Sequence, residues 1–411
     1  MTTHTSLDWM ISVDDHVIEP PGVWQDRVPA RYSDVAPRMV EEGDDEYWVY
    51  ENRRVATSGL SATAGKQTRE FSPEPIRYRD MRPGCYDSRA RLEDMNQAGI
   101  LASMCFPSFP RFCGQIFWEA KDKELALLCV RAYNDWMIDE WCGSAPGRYV
   151  PCIIIPHWDP RLAAAEIERC AAKGARALTF SENPSHLGLP SLFDTGRYWD
   201  PVLAAAADAH VVICTHVGSS SLVPEITPDT PQAVNMAWMI GVRTSGALLM
   251  WLFSGVFERF PGLRLALSEG GIGWIPWFVQ RAQQVADKQH AWASDTTYKL
   301  THGDRHAQSA DTRKFQLKLE GADFRRTLRE HVYGCFIDDE VGADIAIKYL
   351  GADNVMAESD YPHSDSSWPD CIGLMRRQLA HLSVEDQVKI LRGNAERLFE
   401  FTPAPFPSSG G

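Results

Sequence analysis

Short apolar runs recur along the whole chain, separated by longer stretches with helical periodicity. The runs are rich in Val, Ile and Cys and lack the polar/apolar alternation of a half-exposed strand. Such runs are typical of strands that are buried on both faces, as in parallel sheets. Eight of them can be counted, at residues 10–14, 102–107, 149–156, 175–180, 211–216, 263–269, 332–338 and 354–360.

Helical patterns lie between these runs and complete a repeating strand–helix order. They cover residues 121–141, 160–174, 199–209 and 384–400, and the last begins at Ser383 with Asp386 three residues later, which resembles a capping box. Eight alternations over 411 residues favour a TIM-type (β/α)8 barrel over an open doubly wound sheet.

Two polar stretches interrupt the alternation and predict long insertions. Residues 17–87, rich in Pro, Gly and charge, follow strand one, and residues 292–330 precede strand seven. We expect them to cap the barrel mouth or to form an oligomer contact. The whole pattern predicts one domain over residues 1–402 and a disordered tail over 403–411.

Charge and cysteine content narrow the choice of partners. The net charge is −14 and no Lys/Arg-rich run is present, which argues against nucleic acid and anionic membranes. No secretion signal or apolar stretch of about 18 residues is apparent. Ten cysteines without a C-x-x-C pair are typical of reduced thiols. We therefore expect a cytoplasmic protein with a small-molecule substrate, assembled as a homo-oligomer, a dimer.

Side chains that can bind metals stand at the ends of four predicted strands. They are Asp14 and His16 after strand one, His216 after strand five, Glu269 after strand six and Asp360 after strand eight. The carboxyl ends of all barrel strands meet at one mouth, so these groups should converge there. In an extended strand, residues two apart share a face, so Asp14 and His16 can reach one ion while Asp15 points away.

Each of these signals is weak when taken alone. An Asp-x-His pair occurs by chance, His216 could be a hydrogen-bonded core histidine, and Asp360 could cap the next helix. Four strand ends with convergent ligand types are hard to explain by packing, and the set favours a metal site.

Six motifs together resemble the amidohydrolase-related branch of the amidohydrolase superfamily, which contains aminocarboxymuconate-semialdehyde decarboxylase, resorcylate-type decarboxylases and metal-dependent hydrolases. They are "VDDHVIEP", "RLEDMNQAGI", "THVGSSS", "SEGGIGWIPWFVQR", "ESDYPHSDSSWPD" and "LRGNAERLFEF". The resemblance implies a barrel with a divalent metal bound by Asp14, His16, His216 and Asp360. At Glu269 the family commonly has a histidine, which decarboxylating relatives use as an acid–base group.

The number of candidate ligands suggests two divalent ions (Zn, Fe or Mn) rather than one. A catalytic zinc usually takes three protein ligands, whereas five are available here, and Glu269 can bridge two ions. Glu182, after strand four, is an alternative bridging ligand, although a capping or loop role is the simpler interpretation. Glu19 is interpreted as structural.

The expected activity is hydrolysis of an amide, ester or thioester such as an acyl-CoA by metal-activated water. Asp360 would carry the proton, and His363 would bind substrate or orient a ligand. The alternative is non-oxidative decarboxylation of an aromatic or enoic acid, which the absence of the acid–base histidine disfavours. A third hypothesis, an inactive barrel that serves as a binding module, is disfavoured by the filled ligand positions.

Overall fold

A barrel of eight parallel strands forms the centre of the computed structural model, which describes residues 6–221, 225–293 and 317–406. All eight predicted strands are present, and the TIM-type barrel is confirmed. Pro151 divides the third strand into two segments, β6 and β7. The barrel strands are β1 (Met10–Val17), β5 (Ile100–Pro107), β6 (Tyr149–Val150), β7 (Cys152–Ile153), β8 (Ala177–Ser181), β9 (Val212–His216), β10 (Leu265–Ser268), β11 (Val332–Phe336) and β12 (Val355–Ala357).

Neighbouring strands pair in chain order, and backbone hydrogen bonds join the last strand to the first. Asp360 N, just beyond β12, donates to Asp14 O at 2.8 Å, and His16 N donates to Tyr361 O at 2.6 Å. These two bonds bring the end of strand eight beside the end of strand one.

Helices surround the barrel, and each of the four segments with predicted helical periodicity is helical. The helices are α1 (Gly22–Gln25), α2 (Ser88–Ala98), α3 (Gln115–Trp118), α4 (Lys123–Trp136), α5 (Pro160–Ala172), α6 (Asp200–Asp208), α7 (Gln232–Phe253), α8 (Val256–Arg259), α9 (Ile275–Ala293), α10 (Phe324–His331), α11 (Ile347–Leu350), α12 (Cys371–Leu379), α13 (Val384–Val388) and α14 (Asn394–Leu398). The Ser383 hydroxyl caps α13 by accepting from Asp386 N at 3.2 Å.

The barrel interior is filled by apolar side chains, and α14 closes its lower end. Leu398 and Phe399 belong to the interior cluster. Asn394 donates to Val355 O at 2.7 Å, which places α14 at the start of β12 and therefore opposite the mouth. The polar residues at the carboxyl ends of the strands form the layer at the mouth of the barrel, above the apolar interior.

The first predicted insertion carries a small antiparallel sheet of β2 (Arg38–Glu42), β3 (Asp45–Tyr50) and β4 (Arg53–Val55). Trp48 of this sheet packs against Trp24, with ring centroids 5.1 Å apart, and against Phe109, at 4.8 Å. Phe109 belongs to the loop after β5, so the insertion is attached to the mouth loops.

The second insertion and the tail are described only in part. Residues 294–316 lie outside the described residues, and α10 occupies the end of the predicted range. In the tail, Ala404 N donates to Gly147 O at 2.8 Å and Phe406 stacks on Trp9. Residues 407–411 lie outside the described residues.

Helix α7, for which the sequence analysis made no prediction, is long and apolar. Among the described residues it is the one helix that meets the length and composition of a membrane span, with 22 residues and a mean hydropathy of 1.3 in its most apolar window. Core helices of soluble proteins meet the same criterion, and the second half of α7 packs in the core through Leu248 and Trp251.

Candidate metal centre

Five predicted ligand residues meet at the barrel mouth in the described structure. Asp14, His16, His216 and Asp360 have no exposed side-chain surface, and Glu269 is 13% exposed. The convergence follows from the parallel strand order, since each residue lies at or just after the carboxyl end of its strand.

A bulge in β1 lets this strand contribute two ligand candidates. Ser12 pairs with Ser103 but Asp15 pairs with Cys105, so β1 has one extra residue between these pairs. The side chain of Asp15 turns away from the mouth, as predicted, and accepts hydrogen bonds from the hydroxyls of Ser12, Ser103 and Ser359.

The donor atoms lie close enough to share one ion. His16 Nε2 is 3.4 Å from Asp14 Oδ1, 3.2 Å from Asp360 Oδ1 and 3.1 Å from His216 Nε2. His216 Nε2 is in turn 3.5 Å from Asp14 Oδ2 and 3.1 Å from Glu269 Oε2. Tetrahedral ligands with metal bonds of about 2.0 to 2.1 Å lie roughly 3.3 to 3.4 Å apart, and the observed spacings match that value.

Missing hydrogen bonds support the fit of a cation. Both carboxylate oxygens of Asp14 and both of Asp360 are buried without a hydrogen-bond partner. Buried carboxylates are costly unless a cation or hydrogen-bond donors satisfy them. The residues present therefore suit a divalent ion, and the prediction of a divalent metal cofactor fits this site.

The two histidines are held in the form that binds metals. His216 Nδ1 lies 2.5 Å from Val217 O, which leaves the Nε2 lone pair facing the other ligands. Burial lowers the pKa of His216 to about 4. Burial, and then the neighbouring His363, lower the pKa of His16 as well. Both imidazoles are therefore neutral at pH 7.

The carboxylates repel one another strongly in this setting. Burial, and then Glu358, Glu269 and Asp360, raise the pKa of Asp14 well above its ordinary value. Burial, and then Asp360, do the same for Glu269. A bound cation would relieve this repulsion.

Glu358 is an acid at this site that the sequence analysis did not identify. It is fully buried, its Oε1 accepts from Glu269 N at 3.1 Å, and its Oε2 has no partner. The sequence contained a signal for it, because Glu358 directly follows β12, at the carboxyl end of the strand, where the site residues of a barrel lie.

Glu269 and Asp360 both adopt left-handed backbone conformations, with φ of 51° and 55°. Such values are uncommon for residues other than Gly and cluster at functional sites. They direct each side chain into the mouth at the point where the strand ends.

His363 lies against the ligand group. Its ring stacks on His16 with centroids 3.5 Å apart, its Nδ1 is 3.2 Å from Asp360 Oδ1, and its Nε2 is buried without a partner. Burial opposes ionisation of Asp360, but His363 and His16 hold the pKa of Asp360 below its ordinary value. The predicted roles of Asp360 and His363 in catalysis stay predictions.

Two phenyl rings pack on the histidines, Phe112 from the loop after β5 and Phe106 from β5 itself. Phe112 stacks on His216 at 4.2 Å between centroids and lies 5.3 Å from His16, and Phe106 lies 4.9 Å from His216. Phe112 O accepts from Thr179 Oγ1 at 2.5 Å, which anchors the loop. The ligand group is thus enclosed by apolar surface.

Glu182 and Glu19 are engaged elsewhere. Glu182 forms an ion pair with Arg243 of α7 through its Oε1, at 2.5 Å. Glu19 accepts from Ser108 N and Phe109 N at 2.9 and 2.8 Å and thereby positions the loop that carries Phe112.

Comparisons with known proteins all point to the same family. A family model described as amidohydrolase matches residues 16–401. Gamma-resorcylate decarboxylase of Rhodococcus jostii is 26% identical over 291 residues, which cover 68% of this chain and 78% of the relative. The 2-amino-3-carboxymuconate-6-semialdehyde decarboxylase of Caenorhabditis elegans is 21% identical over 369 residues, covering 79% and 83%.

Solved structures share the fold over nearly the whole chain. An amidohydrolase of Mycobacterium avium subsp. paratuberculosis superposes with a TM-score of 0.70 at 20% identity, covering 95% of this chain and 99% of that one. The 5-carboxyvanillate decarboxylase of Novosphingobium aromaticivorans, complexed with manganese and 4-hydroxy-3-methoxy-5-nitrobenzoic acid, superposes with a TM-score of 0.63 at 16% identity, covering 97% and 98%.

The expectation of acyl-bond hydrolysis is wrong in the light of these relatives. Where their names state a specific reaction, it is a decarboxylation. The expectation rested on the missing histidine at position 269, and it overlooked that a buried carboxylic acid can hold and deliver a proton as well.

Proposed function

The chain belongs to the amidohydrolase family, and from this premise we propose that it is a metal-dependent, non-oxidative decarboxylase of an aromatic hydroxy acid. The decarboxylase relatives support the reaction type. The observation that carries the proposal is the enclosed ligand group, covered by Phe112, packed against Phe106 and bordered by the acid Glu269. An enoic acid is the second substrate class, and the C. elegans relative supports it.

The enclosure suits loss of carbon dioxide better than attack by water. Hydrolysis needs a water molecule positioned for attack, whereas decarboxylation needs a proton and a site that strips water from the carboxylate. Side chains with no exposed surface, packed against two phenyl rings, provide such a site.

Each residue has a role in this reaction. Asp14, His16, His216 and Asp360 would hold the divalent ion, which supplies positive charge for the substrate's carboxylate and an adjacent hydroxyl oxygen. Glu269 would deliver its proton to the ring carbon that bears the carboxylate. As that C–H bond forms, the C–C bond breaks, its electron pair restores the aromatic ring, and carbon dioxide leaves. Glu269 then regains a proton from solvent.

The ligand spacing favours one ion over two. Three of the neighbouring donors lie 3.1 to 3.4 Å from the single atom His16 Nε2, and Glu182, the alternative bridging ligand, is paired with Arg243. Metal analysis of active protein would decide the count.

We further propose that the active form is a homodimer that buries the first half of α7. Val234, Met236 and Val242 of this half are exposed, and Trp277, on the neighbouring α9, is 62% exposed. Trp274, three residues before Trp277, lies beside α7 at Gly241, where a Cβ would be 4.0 Å from Trp274 Cδ1, so the exposed start of α9 is next to α7. Exposed apolar surfaces of this kind mark contact sites.

A second copy is the partner that suits this surface. The surface is apolar, and the one ionisable residue of α7, Arg243, is paired with Glu182. Acidic residues, Glu225 and Asp229, precede the helix and would repel an anionic membrane. A two-fold axis would place the same apolar surface of each copy against the other.

Light scattering after size exclusion tests the dimer. We expect twice the chain mass for the wild type and for Ala165→Lys, an exposed position of α5, and the chain mass for Met236→Lys. A wild-type protein with the mass of one chain would exclude the dimer. If that monomer bound neutral phosphatidylcholine vesicles, the apolar surface would be assigned to lipid binding instead.

Release of carbon dioxide tests the activity. Protein loaded with Mn²⁺ would be incubated with 2-hydroxybenzoic acid, its dihydroxy isomers and an unsaturated dicarboxylic acid, with the metal-free protein as control. Release of carbon dioxide from none of them would refute the proposed reaction.

A further inference from the structure

We infer that the Glu182–Arg243 pair is a second recognition point for the substrate, which binds a second hydroxyl group of the ring. The inference rests on the proposed decarboxylation. It adds the chemistry of the second substituent, which neither the metal ligands nor Glu269 determine.

The pair lies at the barrel mouth next to the ligand group. Glu182 follows β8 directly, and its neighbour Ser181 is in register with His216. Helix α7 brings Arg243 to the same place. Its next residue, Thr244, packs so tightly on Gly270 that a Cβ there would lie 2.8 Å from Thr244 Cγ2. Gly270 follows Glu269, so the pair borders the proposed proton donor.

The hydrogen bonds of Glu182 are concentrated on one of its two oxygens. Oε1 lies 2.5 Å from Arg243 Nη2, 2.8 Å from Ser220 Oγ and 3.2 Å from Gly218 N, whereas Oε2 is buried and has no partner. A buried carboxylate oxygen without a donor costs free energy, and an arriving hydroxyl would satisfy it. The side chain of Glu182 is only 4% exposed, so bulk water is a poor substitute.

Arg243 also has unused hydrogen-bonding capacity. Its Nη2 serves Glu182 and Ser220, while its Nε and Nη1 have no hydrogen-bond partner among the residues that the structure describes. The side chain is 7% exposed. Guanidinium N–H groups donate and never accept. The ion pair has no net charge, and it therefore offers a substrate both an acceptor oxygen, on Glu182, and donor N–H groups, on Arg243.

This combination selects a group that both donates and accepts. A hydroxyl can donate to Glu182 Oε2 and accept from Arg243. A second carboxylate can only accept and would meet the negative charge of Glu182, and a hydrogen atom or methyl group would leave both partners unsatisfied. Sites that bind a substrate hydroxyl in this way discriminate strongly against the analogue that lacks it.

A purely structural ion pair would behave differently, and matched substrates separate the two roles. We would measure kcat/KM for 2-hydroxybenzoic acid and for its 2,3-, 2,4-, 2,5- and 2,6-dihydroxy isomers. The proteins are the wild type, Glu182→Gln, the double variant Glu182→Leu/Arg243→Met, and Glu225→Gln as an exposed control. The double variant removes both partners and so avoids leaving one charge buried alone.

We expect the wild type to prefer one dihydroxy isomer over 2-hydroxybenzoic acid by roughly 100-fold. The double variant should lose at least about tenfold of that preference while still converting 2-hydroxybenzoic acid, and Glu225→Gln should match the wild type. Equal losses for both substrates, or an unchanged preference, would overturn the inference and leave the decarboxylase proposal standing.

A binding measurement separates this inference from the activity itself. Calorimetry would compare phenol with the dihydroxybenzenes, the products expected from the same acids. Tighter binding of one dihydroxybenzene by the wild type, lost in the double variant, supports the inference even if no carbon dioxide is released. Equal binding of phenol and all dihydroxybenzenes would count against it.

Discussion

The Nε2 atoms of His16 and His216 lie 3.1 Å apart, although the two residues are separated by 200 positions in the chain. Both imidazoles are neutral, because burial lowers both pKa values, and His216 Nδ1 is engaged by Val217 O. Two nitrogen atoms at this distance, with Asp14 within reach of both, are donors that would hold a divalent ion.

The adjacent residues Asp14 and Asp15 should respond differently to the same substitution. Asp14→Asn removes a charged ligand, so we expect metal content per chain to fall to a small fraction of the wild-type value. Asp15→Asn weakens a network of hydroxyl donors, so we expect retained metal and a cost of about 1 to 3 kcal/mol in stability. Elemental analysis and thermal denaturation would measure both. Equal metal loss in the two variants would argue against Asp14 as a ligand.

Removing the metal should destabilise the protein. The unpartnered oxygens of Asp14 and Asp360 would repel each other and Glu269 without a cation. We expect chelation to lower the melting temperature and abolish turnover, and added Mn²⁺ to restore both. At 100 times its dissociation constant, an ion that binds only the folded state adds about 2.7 kcal/mol. Undiminished turnover in the presence of excess chelator would contradict a required metal.

Glu269 should be needed for turnover more than for metal binding. In Glu269→Gln the transferable proton is lost, so we expect kcat to fall by roughly 10²- to 10⁴-fold with metal retained. Glu269→His restores an acid–base group and should recover part of the rate. Carbon dioxide release and metal analysis would be measured on the same samples. Loss of metal in Glu269→Gln would instead identify this residue as a ligand.

The strands and the ligand positions were predictable because each depends on a local signal. An apolar run marks each strand, and a polar residue such as His216 or Asp360 directly after the run lies at the mouth in any parallel barrel. The positions of Phe112 and Arg243 were not predictable in this way. Each belongs to a connection whose path depends on distant contacts, Phe112 on Thr179 and Arg243 on Glu182.

The reaction was harder to predict than the site. The residue at position 269 was interpreted by its type, and an acid in place of a histidine favoured hydrolysis. Its surroundings decide its chemistry, because burial and the nearby Asp360 raise the pKa of Glu269. Those surroundings depend on Glu358 and on the barrel's closure, which a local motif does not contain.

Displacing Phe112 should impair the centre without touching a ligand. Gly218 has φ of +85°, and a Cβ there would lie 2.9 Å from Phe112 Cε2, so Gly218→Ala should push the ring away from His216. Gly188→Ala is a matched control, with φ of +74° and nothing within 4 Å. We expect Gly218→Ala to lose more than about tenfold in kcat and Gly188→Ala to lose only stability. Equal turnover in the two variants would show that the position of the Phe112 ring is not needed for activity.

Glu19 should make stability depend on pH. Burial raises the pKa of Glu19 from 4.5 to about 7 in the folded state. Between these two pKa values the folded state binds more protons than the unfolded state, so stability falls as pH rises from about 5 to 7. The full difference is about 3 kcal/mol for a shift of this size.

Glu19→Gln isolates this effect because glutamine does not titrate. The amide can accept only one of the two backbone N–H bonds from Ser108 and Phe109, so the variant should melt below the wild type at pH 5. Melting temperatures of the metal-free proteins at pH 5 and pH 8 would be compared, so that metal dissociation does not contribute. We expect the difference in melting temperature between the two proteins to be smaller at pH 8. At that pH Glu19 of the wild type is ionised, and the stability that its protonated form contributes is lost. A gap that stays the same at both pH values would mean that Glu19 is ionised throughout and that the loop carrying Phe112 is held by a charged carboxylate.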